Sequence, residues 1–122
     1  MTRVVWEWHP EQEPARMVLQ LTGHTDYTGA EGNIVCAAVS MLAHTMIAWI
    51  NSPAALTAVE KINALRWQSG EVLLDISITN EGRALALGAF GAVLGGLRLL
   101  AEKYPQNVQM GGNKENSFFT IH

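Results

Sequence analysis

The chain holds a single cysteine, Cys36, among its 122 residues. One cysteine closes no intrachain disulfide, so a disulfide-stapled secreted domain is excluded and a reducing compartment is implied. Charged residues are scarce, at 16%, against 48% hydrophobic ones. A chain so composed has enough apolar surface to build a core and lacks the signature of intrinsic disorder. Cations are scarcer still: no Lys or Arg lies between Arg16 and Lys61, and the net charge is −3. A nucleic-acid groove needs clustered Lys and Arg, so nucleic acid is not an expected partner. The opening residues, MTRVVWEWHPEQEP, lack the uninterrupted apolar stretch of a signal peptide. A cytoplasmic protein is expected. The charge-free run Ile34–Ile50 is shorter than the about 20 apolar residues a bilayer requires. It has no positive flank and reads as a buried core helix, so no membrane partner is expected.

The length suits one domain, since a single core commonly serves roughly 100–150 residues. Thr2–His9 alternates as a strand, with Val4, Trp6 and Trp8 opposite Val5. A polar turn between Pro10 and Pro14 leads to a second strand, Arg16–Thr22, with Met17, Leu19 and Leu21 on one face. The two form a hairpin. Residues 23–32, GHTDYTGAEG, read as a mobile loop. Asn33 is then the expected N-cap of a helix over Ile34–Ile50. After Ser52-Pro53, the arms Lys61–Gln68 and Glu71–Thr79 flank a Ser69-Gly70 hairpin turn. Thr79 or Asn80 caps a second helix, about Gly82–Tyr104, stopped by Pro105. The tail suggests one more hairpin, 107–110 against 117–122 across Gly111-Gly112. The order ββαββα gives an α+β domain, a mostly antiparallel sheet packed against two long apolar helices. Both helices are apolar nearly all round, and the second carries Gly88, Gly91, Gly95 and Gly96. Such glycines permit close backbone approach, and a homodimer packed through helices is expected.

The chemistry gathers around the loop. Cys36, if Asn33 caps its helix, lies in the first turn, where free N–H groups and the helix dipole favour an anion. A thiolate is such an anion, and the same N–H groups suit an acyl-transfer oxyanion. His24 stands twelve residues earlier, at the other end of a loop that could fold back to make a Cys–His pair. Asp26 and Glu31 are the nearby carboxylates. Ser40 and His44 follow Cys36 at helical spacing and share its face; His44 reads as a core histidine with a partner rather than a second base. No ligand spacing suggests a metal, and no cofactor is implied. A phosphate-binding NTPase loop lacks its Gly-Lys-Ser/Thr, and a Cys-x5-Arg phosphatase is excluded because position 42 is leucine.

The string from Gly23 to Ser40, G-H-x(8)-N-I-V-C-A-A-V-S, resembles the signature of the Prp family of ribosomal-processing cysteine proteases. The resemblance implies Cys36 as nucleophile and His24 as its base, with Ser40, Asn33, Gly23 and Asp26 as supporting or substrate-binding residues. It implies a homodimer and a loop that orders on a peptide. It also implies a substrate: the short N-terminal extension of a large-subunit ribosomal protein, the twenty-seventh in the usual naming, or a related phage protein. Two residues depart from the pattern: Asn33 stands where the family has Asp, and Thr25 replaces a small residue. The alternative reading is a dimeric module of the same fold that binds a peptide without cutting it.

Overall fold

The computed structural model describes residues 1–23, 30–68 and 70–114, with residues 30–33 described by their backbone. The elements are β1 (Thr2–His9), β2 (Ala15–Thr22), α1 (Ala30–Ile50), a 3-10 turn (Pro53–Leu56), β3 (Val59–Gln68), β4 (Glu71–Ile78), α2 (Arg83–Lys103) and β5 (Val108–Gly112). The five strands form one sheet in the order β3-β4-β2-β1-β5.

Period-2 alternation builds the core face. Trp6 pairs with Leu19, and Leu19 with Leu74, so side chains one above the other across three strands all point at the helices. Val4, Trp6, Met17, Leu19, Leu74, Ile76 and Ile78 are all buried to within 1%. Val35, Val39, Ala43 and Met46 of α1 cover them, as do Ala86, Phe90, Val93, Leu94 and Leu97 of α2. Phe90 meets Trp6 edge-to-face at 6.4 Å, a favourable arrangement for two aromatic quadrupoles. The helices approach closely at Gly96, where an added Cβ would come within 2.8 Å of Leu42 on α1.

The outer sheet face is polar. Arg16 donates through Nε and Nη2 to the two carboxylate oxygens of Asp75, at 2.8 Å for the Nε bond. Asn63 Nδ2 donates to both Asp75 Oδ1 and Ser77 Oγ. The paired charge holds the Asp75 carboxyl below the usual carboxylate range, chiefly through the Arg16 hydrogen bonds.

Three expectations change. First, α1 begins at Ala30, so Asn33 is not its N-cap and lies within the helix. Ala30 and Glu31 are strong helix formers, and Gly32 costs only about 1 kcal/mol inside a helix anchored by its buried stripe. Second, Gly111-Gly112 is not a turn. Both lie in β5, which pairs parallel to β1, with Gly112 opposite Trp6, so the sheet is mixed rather than wholly antiparallel. Gly112 is there because a Cβ would fall 1.9 Å from the Trp6 ring. The second arm of the expected tail hairpin, 117–122, lies outside the described residues. Third, α2 takes its start from Gly82, whose N–H donates to Thr79 Oγ1 at 3.0 Å. Thr79, one of the two expected caps, therefore does satisfy an N-terminal donor.

Candidate active site

A cleft of about 240 Å³ opens beside α1 and contains Cys36. Four parts of the chain build it. The α1 stripe Cys36, Val39, Ser40, Ala43 and His44 forms one wall, as spacing of three and four residues requires on a helix. Thr2 and Leu21 come from the adjacent ends of β1 and β2. Trp67, Gln68, Gly70, Glu71 and Val72 come from the β3–β4 hairpin. Gly23 closes the rim with φ +94°, and its N–H donates to the Gly70 carbonyl at 3.0 Å. A side chain there would put Cβ 2.4 Å from the Met1 carbonyl oxygen, so both dihedral and space require glycine.

Cys36 is free and exposed. It is the seventh residue of α1, not part of the first turn as the sequence suggested. The dipole and unpaired N–H groups act mainly within the first turn, so helix-start stabilisation of a thiolate contributes less here than expected.

Ser40 is exposed on the cleft wall, as its spacing predicted. Its hydroxyl makes no hydrogen bond to a described residue, whereas Thr45 on the same helix bonds back to the Met41 carbonyl at 2.7 Å. The Ser40 hydroxyl is thus open to the cleft. His44 is half-buried and does have the partner expected of it: its ring lies 3.7 Å from that of Trp67, tilted by 50°. It is eight residues beyond Cys36, about 12 Å along the helix axis, too far to take the thiol proton. His24 and Asp26 lie outside the described residues, and Asn33 is placed by its backbone only. Among the described residues no cluster of His, Cys, Asp or Glu is arranged to hold a metal.

The sequence did not reveal Trp67, Glu71, Val72 or Thr2 as cleft residues. The two hairpins that carry them are legible in the sequence, but the pairing of β2 with β4 that brings those hairpins together at the cleft is encoded by no local pattern.

The family model of cysteine protease Prp matches residues 1–109. The chain belongs to the Prp family of cysteine proteases. The fold of this Prp-family chain is similar to that of the ribosomal processing protease Prp from S. aureus, solved in complex with a substrate peptide. The TM-score is 0.67 at 18% identity, covering 93% of this chain and 100% of that one. The S. aureus protease has also been solved with a covalently linked product peptide, with the same similarity to this chain. SMU.848 from Streptococcus mutans matches with a TM-score of 0.66 at 23% identity, covering 92% of this chain and 93% of that one. No curated protein matches by sequence.

Proposed function

We propose that this Prp-family cysteine protease cuts a peptide bond with Cys36 as nucleophile and His24 as its base. The observation that carries the reading is the exposed, free Cys36 on the wall of a cleft lined by both apolar and polar side chains. His24 is bonded to Gly23, which lines that cleft. The thiolate of Cys36 attacks the scissile carbonyl carbon, and the carbonyl oxygen becomes an oxyanion. His24, having taken the thiol proton, gives it to the leaving amine as the C–N bond breaks. The acyl group is left as a thioester on Sγ. Water, deprotonated by His24, then attacks the thioester, releasing the acid and restoring the thiol. Ser40, one turn from Cys36, offers its open hydroxyl to the peptide. Asn33 and Asp26 keep the supporting roles that the family resemblance implies.

The substrate is the N-terminal extension of a large-subunit ribosomal protein or of a related phage protein. Support comes from the S. aureus relative, a ribosomal processing protease that binds a substrate peptide. The reaction belongs in the cytoplasm, where the lone thiol stays reduced. Incubation with each tail, read by intact mass, tests the assignment. One internal cut at a fixed bond in one tail is expected. Binding of both tails without a cut would favour the non-catalytic module instead.

The working form is a homodimer. On α2, Leu85, Gly88, Ala92, Gly95 and Leu99 recur at alternating steps of three and four. Leu85 and Leu99 are 47% and 67% exposed, and a Cβ at Gly88 or Gly95 would meet only open space. A small-residue seam between apolar ends suits a second α2 at close approach. Sedimentation at micromolar concentration should give twice the chain mass; a monomer would overturn this part.

A further inference from the structure

Trp67 is a large aromatic side chain that the core does not use. It is 56% exposed at the end of β3, one of the two edge strands of the sheet. Its pairing with Val72 points it to the helix side, where its ring meets His44. Exposure of one aromatic residue means little by itself; what singles out Trp67 is that it is exposed inside the cleft that holds Cys36, with its indole against His44. Here it stands at the far end of the cleft from Cys36, held in orientation by a half-buried imidazole. Val39, Ala43 and Val72 supply apolar surface to the same cleft, beside the polar Ser40, Gln68 and Glu71.

We infer that His44 and Trp67 form a specificity subsite that takes an aromatic side chain of the peptide, three to four residues from the bond cut. This rests on the peptidase reading for its register alone. The register follows from two lengths. Cys36 and His44 are eight residues apart on α1, about 12 Å at 1.5 Å per residue. An extended peptide advances about 3.3 Å per residue, so 12 Å spans three to four. A volume of about 240 Å³ is below the roughly 300–1,000 Å³ of pockets for whole small molecules, and suits a short stretch of peptide with one large side chain. One face of Trp67 is occupied by His44, and the indole's remaining exposed area is free to stack or meet a ring edge-on. His44 fixes the indole and shapes the end of the cleft; it is a positioning residue and transfers no proton.

The test separates binding from cutting. Full-length Cys36→Ala protein is titrated with peptides from whichever tail binds, carrying Phe or Ala at each of the positions one to five on either side of the central bond. Phe at the third or fourth position on one side should bind at least tenfold more tightly than Ala there. Trp67→Ala, added to Cys36→Ala, should abolish that preference, and Trp67→Phe should retain most of it. His44→Ala should weaken it several-fold. Equal binding of the Phe and Ala peptides at those positions, a preference that survives Trp67→Ala, or no binding of any peptide would each overturn the subsite. Cleavage by the unsubstituted protein is read separately. A Phe preference without any cleavage would sink the peptidase reading and leave the subsite standing; cleavage without the preference would do the reverse.

Discussion

Gly112 of β5 lies flat against the indole of Trp6 on the neighbouring strand, with the two residues in direct register. Trp6 is fully buried and meets Phe90 of α2, so this contact ties the edge strand to the centre of the core. A methyl group at position 112 has no room, because its nearest ring atom would be 1.9 Å away. Gly112→Ala should destabilise the protein by about 1–3 kcal/mol through overpacking. Urea unfolding gives the value. An unchanged midpoint would mean that β5 is not docked on Trp6.

Asp75 sets a second expectation, on pH. Its carboxyl is held below the usual range in the folded chain by Arg16, which donates to both of its oxygens. A group with a depressed folded pKa contributes stability above its unfolded value, about 3.9, and loses it as pH falls through the folded value. Asp75→Asn should therefore lower stability near neutral pH by about 1 kcal/mol and flatten the loss below about pH 4. Unfolding midpoints from pH 7 to pH 3 check both. Parallel curves for the two proteins would remove Asp75 from the acid limb.

Ser40 offers a cleaner separation of fold from activity. It is exposed and hydrogen-bonded to no described residue. Ser40→Ala should change stability by no more than about 0.5 kcal/mol. A hydroxyl that holds the peptide near Cys36 should, when lost, lower kcat/KM by about tenfold, or about 1.4 kcal/mol. Thermal unfolding and peptide kinetics on one preparation decide it. A fall in stability with unchanged kinetics would make the hydroxyl structural.

These sites show what was legible in the residues. The strands β1, β2 and β4 are half-buried, so alternation marks them: Val4, Trp6 and Trp8 are buried while Val5 is exposed. Cys36, Ser40 and His44 share a helix face by spacing alone, and the cleft confirms that they share it. The misreadings have one cause, contacts between distant segments. Gly111-Gly112 carries the local signal of a turn, yet Trp6, more than 100 residues away, is what demands glycine. Gly29 and Gly32 carry the signal of a loop up to Asn33, yet α1 begins at Ala30 because its buried stripe against the sheet extends the helix past its weak first turn. Trp67 reads as an ordinary strand residue until β3 is known to be an edge.

The helix start bears on how Cys36 is activated. In the proposed dyad, with Cys36 in the second turn of α1, activation of the thiol falls mainly to the imidazole of His24. His24→Ala should slow alkylation of Cys36 near neutral pH by at least tenfold and lower cleavage far more than peptide binding. Equal alkylation rates for the two proteins would detach His24 from the thiol.

The most direct measurement is a rapid-quench intact-mass experiment on the unsubstituted protein mixed with a tail that it binds. A covalent adduct should appear first, heavier than the protein by the N-terminal product peptide less one water, as a thioester requires. Peptide mapping should place it on Cys36, and it should decay as the two products accumulate. Cys36→Ala should bind the same tail, form no adduct and release no product. Cleavage that persists in Cys36→Ala, or a tail that binds the intact protein and is never cut, would contradict the account.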